Sequence, residues 1–159
     1  MSNCETTTKN YRNIAARVYS AIDQEIPSGP PTVLSFELER FDTDEMHESV
    51  TDPSRLTIRT GGKYQISAMV QFAAAAVGAG TLRSVAIRLN GTTIIAQQAG
   101  SSAQDVVWGA SLSTLYQLKV GDFLEVVVEQ DSGVALNVEA LGNFSPEFAA
   151  VRVARSGNT

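Results

Sequence analysis

Turns decide what this chain can become. Between Leu115 and Gly133 one hydrophobic run ends, Gly121-Asp122 reverses the chain, a Val-rich run from Phe123 to Gln130 follows, and Asp131-Ser132-Gly133 reverses it again. Along that run Leu124, Val126 and Val128 fall on one face, and Phe123, Glu125, Val127 and Glu129 on the other, the two-residue period of a strand. The first face must be buried. The second suits water or a partner subunit.

The same grammar recurs along the chain. Ala15 to Ile22 reads as a first strand, and Pro27-Ser-Gly-Pro-Pro31 breaks it off. Val33 to Phe41 alternates, with Leu34, Phe36 and Leu38 on one face, and runs into the acidic loop Asp42–Glu48. Leu56 to Arg59 is a brief strand. Tyr64 to Phe72 is the most regular, with Tyr64, Ile66, Ala68, Val70 and Phe72 on one face and Gln65, Ser67, Met69 and Gln71 on the other. The alanine-rich run from Ala73 to Gly80 reads as a strand end and loop, because Gly78 and Gly80 cut any helix short. Ser84–Leu89 and Thr92–Ala96 flank Asn90-Gly91, a hairpin turn whose two positions need positive φ. Gln97–Asp105 reads as a polar loop, Val106–Leu118 as a long strand, and Leu136–Leu141 and Phe148–Val153 as the last two. No stretch keeps helical periodicity over three turns. Roughly eight to ten short strands separated by turns predict an all-β sandwich or barrel, and their number fits a two-sheet jelly-roll sandwich.

Composition narrows the functions. A chain of 159 residues, 43% hydrophobic and 18% charged, buries a real core as one domain. Its net charge is -5 and its basic residues are scattered singly, which makes nucleic acid and anionic membrane poor partners, and neither is expected. The longest apolar run, Ala68–Ala79, is short and interrupted by Gln71, so no membrane insertion is expected. Met1–Asn10 has no apolar core of a signal peptide, so synthesis in a cytoplasm without export is expected. Cys4 is the single cysteine and reads as an inert thiol.

Candidate chemistry is sparse. His47 stands among Asp42, Asp44, Glu45, Glu48 and Ser49, but no Gly-x-Ser-x-Gly elbow accompanies it, so the cluster reads as a solvated acidic loop and not as a triad. The same carboxylates lack the Gly and terminal Glu spacing of a calcium loop. Gly78-Ala-Gly80 lacks the Lys and Ser/Thr of a phosphate loop. Asn90-Gly-Thr and Asn143-Phe-Ser match the glycosylation pattern, the first being better read as a turn. Tyr64, Phe72, Trp108 and Tyr116 read as core aromatics rather than a sugar-stacking platform. A non-enzymatic protein without a cofactor is expected.

The segments Phe41-Asp-Thr-Asp-Glu-Met-His-Glu48, Pro53-Ser-Arg-Leu-Thr-Ile58, Gly62-Lys-Tyr64, Arg88-Leu-Asn-Gly91, Leu118-Lys-Val-Gly-Asp122, Glu129-Gln-Asp-Ser-Gly133 and Ser145-Pro-Glu-Phe148 follow one another in this order. Together they resemble the C1q-like branch of the complement-head and tumour-necrosis-factor jelly rolls, in the form carried by bacteria and phages. The resemblance implies a tight homotrimer that binds or builds and does not catalyse. It divides the chain into an N-terminal arm (1–14), a jelly-roll domain (15–154) and a short tail (155–159). By analogy, Gln65, Ser67, Met69, Gln71, Phe123 and Val127 are the candidates for the trimer interface. The chain has neither a collagen-like stalk nor a fibre shaft, which suits a small part of a larger particle. The function expected is that of a phage virion structural protein: a capsid decoration, cement or head-spike protein located in the virion. Its arm, through Lys9, Tyr11 and Arg12, would hold the major capsid protein or another virion component. The alternative is a receptor-binding tip that meets a host surface glycan or protein through the loops Ala73–Gly80 and Gln97–Asp105. A hydrolase built on the acidic loop ranks last.

Overall fold

The computed structural model describes residues 13–75 and 80–157. Among them are thirteen strands and no helix: β1 Ala15–Tyr19, β2 Gln24–Ile26, β3 Thr32–Val33, β4 Leu38–Asp42, β5 His47–Glu48, β6 Asp52–Thr57, β7 Gly62–Phe72, β8 Leu82–Leu89, β9 Thr93–Ser101, β10 Trp108–Leu118, β11 Phe123–Gln130, β12 Leu136–Val138 and β13 Glu147–Arg155. No helix is long and apolar enough to cross a membrane. The strands form two antiparallel sheets. Sheet one runs β2-β12-β7-β13-β1-β4, with β10 along the other edge of β7; sheet two runs β5-β6-β11-β8-β9, with β3 on β11. After β7 the chain changes sheet between β7 and β8, β9 and β10, β10 and β11, and β11 and β12, the winding of a jelly roll.

Alternation explains the core. Tyr64, Ile66, Ala68, Val70 and Phe72 of β7 meet Leu124, Val126 and Val128 of β11 between the sheets, and all are buried. Phe36 packs on Phe148 with ring centroids 5.7 Å apart, and Phe72 on Trp108 at 6.2 Å. Gly62 is required where β7 begins, since a Cβ there would lie 2.5 Å from the Ala154 carbonyl oxygen. Strands β1 and β13 are neighbours, with Ala15 opposite Val151 and the Arg152 N–H donating to the Ile14 carbonyl at 2.9 Å. The described chain therefore enters and leaves at one end of the sandwich.

Three expectations change. The run Val33–Phe41 is not one strand. Its start pairs with β11 in sheet two and its end with β1 in sheet one, while residues 34–37 cross between. The backbone amides of Leu34 and Phe36 donate to the Val126 and Pro53 carbonyls on the way. Leu34 and Phe36 are buried, but Leu38 lies beyond the crossing and is exposed. The polar segment Gln97–Ser101 is strand, not loop, because it extends β9 in register with Leu82–Ala86. On β11 the face of Phe123, Glu125, Val127 and Glu129 is largely covered rather than open. The segment Ala73–Gly80 is described only at its ends, and Cys4 lies outside the described residues.

Candidate interaction surface

The acidic loop is closed by its own backbone. Asp42 accepts the amide N–H groups of Asp44 at 3.0 Å and His47 at 2.8 Å, which spends both its carboxylate oxygens locally. His47 is buried, and its Nδ1 lies 2.9 Å from Glu39 Oε1 on β4. The Thr51 hydroxyl donates to Glu48 at 2.7 Å, and together with the Arg59 guanidinium it holds that carboxyl below the usual carboxylate range against desolvation. Ser49 is exposed. Among the described residues no three His, Cys, Asp or Glu side chains are arranged to hold a metal ion. The loop's chemistry is that of a cap.

The outer face of sheet one combines small residues with exposed apolar ones. Register places side chains in rows across it: Phe41, Arg17, Ala149, Ser67 and Ser113 in one, and Tyr19, Glu147, Met69 and Ser111 in the next. A third row, on the other side of the first, holds Ala15, Val151, Gln65 and Leu115, and past the Met69 row Gln71 faces Gly109. Small residues fill the middle and leave a shallow cavity of about 440 Å³ lined by Phe41, Met69, Ser67, Ser111, Ser113, Ala149 and Val151. Its flanks carry large apolar groups in water: Phe41 is 45% and Leu115 59% exposed. One corner is charged, with two guanidiniums on a single buried carboxylate. Glu147, 3% exposed, is gripped by Arg17 and by Arg40, the latter at 3.0 Å. The Arg40 guanidinium also stacks 3.7 Å from the Tyr19 ring centre and donates to the Gly142 carbonyl at 2.7 Å.

Four of the six interface candidates, Gln65, Ser67, Met69 and Gln71, stand together on this face. Phe123 and Val127 do not join them, because β11 belongs to sheet two. Phe123 lies under the Arg55 guanidinium at 4.2 Å, and Val127 is buried between β3 and β8. Between them Glu125 binds Arg88 through two nitrogens at 3.0 and 2.9 Å. One contiguous patch cannot hold all six. Lys9, Tyr11 and Arg12 lie outside the described residues.

The architecture has counterparts among solved structures. Murine APRIL superposes with a TM-score of 0.67 at 10% identity, covering 89% of this chain and 99% of that one. Eiger TNF from S. frugiperda gives 0.65 at 15%, over 92% and 96%. The globular domain of zebrafish complement 1qA gives 0.62 at 11%, over 90% and 99%. The fold is the TNF/C1q jelly roll. No protein-family profile matches the sequence, and no curated protein does.

Within this TNF/C1q fold a second surface emerges that sequence reading missed. Among the described residues β9 is paired only with β8, and β10 only with β7. The two lie against each other where the sheets close, so their open edges form one flank of the sandwich. That flank is almost uncharged: from Leu89 to Leu118 the only ionisable side chains are Asp105 and Tyr116. It also exposes apolar groups, with Ile94 48% in water. A soluble protein ordinarily blunts a long edge with Lys, Pro or a bulge. Here the bulge at Ile87/Arg88 lies at one end and the rest is bare. The signal was in the sequence, as a gap in charge across two strands.

Proposed function

We propose that this chain works as a non-catalytic homotrimer in which the β9–β10 flank of each copy seats on the outer face of sheet one of the next. The observation that carries the reading is the pairing of two unlike exposed surfaces on one protomer, an uncharged edge and a small-residue valley with apolar flanks. Such a contact is heterologous, and it makes a closed ring when the rotation between copies closes. Closure at three is what the resemblance to the C1q and tumour-necrosis-factor jelly rolls implies. Leu115 and Ser113 lie where valley and flank meet, since both stand on β10. Light scattering on the purified chain tests this: a three-chain mass is expected, and a one-chain mass across the micromolar range overturns it. Ser113→Arg, which fills the valley with a charge, is expected to give a folded single chain. A three-chain mass for that variant would move the interface elsewhere.

The finer form of the reading makes the trimer a decoration or head-spike protein of a phage particle, held through Lys9, Tyr11 and Arg12. It is supported by the order of the seven motifs and by a scaffold whose polar clusters serve structure. Deleting residues 1–13 is expected to leave the trimer intact and abolish its attachment to particles; normal decoration by the truncated chain counts against it. A receptor-binding tip is the second reading, and one observation favours it. The apical turns are locked from within by Gln130, which donates to the Ile26 and Val134 carbonyls at 3.0 and 2.7 Å, and by buried Arg83 beside Gly80 and Leu82. Such a rigid base suits loops that must recognise something. Binding to glycan arrays or cells that is lost on altering residues 103–107 would promote it.

A further inference from the structure

The β8–β9 turn is latched to its neighbour by one amide side chain. Asn90 and Gly91 have φ of 52° and 72°, the paired positive values of a type I′ turn. The Asn90 backbone N–H donates to the Phe123 carbonyl at 2.9 Å, and the Phe123 N–H returns a bond to Asn90 Oδ1 at 2.9 Å. Asn90 Nδ2 donates to Asp122 Oδ1 at 2.9 Å, while the other Asp122 oxygen accepts the Lys119 N–H at 2.8 Å. Both atoms of the Asn90 amide are therefore spent on the β10–β11 turn.

An asparagine followed by glycine is also chemically labile. The Gly91 backbone nitrogen, once its proton has gone to water, can bond to Asn90 Cγ. The Cγ–Nδ2 bond then breaks, ammonia leaves with the proton, and a five-membered succinimide closes. Water reopens it on either side to give aspartate or isoaspartate, with no change of oxidation state. Glycine leaves its nitrogen unshielded, and both residues are exposed to the water the reaction needs. We propose that Asn90 is a deamidation site kept silent by this latch, and that its conversion uncouples the two turns. To reach the Gly91 nitrogen, Cγ must swing away from β11 and give up two hydrogen bonds. Once aspartate forms, the side chain of residue 90 has no N–H to offer Asp122 and sets a second carboxylate against it. Isoaspartate also lengthens the turn backbone.

The whole chain, held at mildly alkaline pH and followed by peptide mapping in a mass spectrometer, tests both halves. Conversion of Asn90 is expected to run roughly tenfold or more slower in the native protein than in urea, the factor being set by the free energy of opening the latch. Equal rates overturn the latch. Asp122→Ala is expected to speed conversion severalfold while keeping its β circular-dichroism spectrum; a wild-type rate in that folded variant overturns the role of Asp122. Should Asp122→Ala fail to fold, the native-to-urea ratio decides alone. The uncoupling is tested by Asn90→Asp, expected to melt below wild type; an unchanged melting temperature overturns it.

Discussion

Some buried polar side chains hold several backbone groups at once. Gln130 has no exposure and answers three backbone groups, two carbonyls and the Ser132 N–H at 2.7 Å. Gln130→Ala is expected to cost about 2–3 kcal/mol, since it leaves buried groups without partners. Chemical denaturation at one fixed protein concentration measures it. Tyr64 is a second case. Burial first, and the charge of Asp44 next, push its hydroxyl from 10.0 up to about 12, with Arg152 opposing. Below 10 the folded and unfolded chains both keep the proton, and its contribution to stability is complete. Between 10 and about 12 the unfolded chain releases it first, so stability falls as pH rises; beyond that nothing further is lost. Tyr64→Phe is expected to flatten this alkaline decline while lowering stability modestly at neutral pH, where the bond from its hydroxyl to the Thr60 carbonyl is lost. Denaturation curves at stepped alkaline pH read both effects.

Among elements, legibility followed local information. The β7 and β11 runs and the Asn90-Gly91 hairpin could be read directly because period and turn chemistry agree within a few residues. The crossing at residues 34–37 could not, since alternation looks the same whether a chain stays in one sheet or changes sheets midway. The extension of β9 through Gln97–Ser101 was hidden for a related reason. Its residues are polar or small, and only pairing with β8 makes them strand. The valley on sheet one was half legible: the outward residues of β7 were visible, but their neighbours on β1, β4, β10 and β13 are set by register that no single segment encodes. The crossing itself is testable. Phe36→Ala is expected to cost about 3–5 kcal/mol by opening a cavity against Phe148. Leu38→Ala, two residues on and exposed, is expected to change stability by no more than about 0.5 kcal/mol. Similar losses for the two would restore one continuous strand.

For the whole molecule, the proposed assembly makes stability a function of concentration. A subunit contact that exists only in the folded state raises the melting temperature by mass action. The wild-type melting temperature is expected to climb as protein concentration rises, and Leu115→Arg is expected to abolish that climb while leaving a folded chain. A concentration-independent wild type would place the uncharged flank and the valley in separate roles. The adjacency of β1 and β13 has its own practical outcome. Labels attached at Asn13 and Ser156, the two flanks of these strands, will sit at the same pole as close neighbours, with the opposite pole left clear.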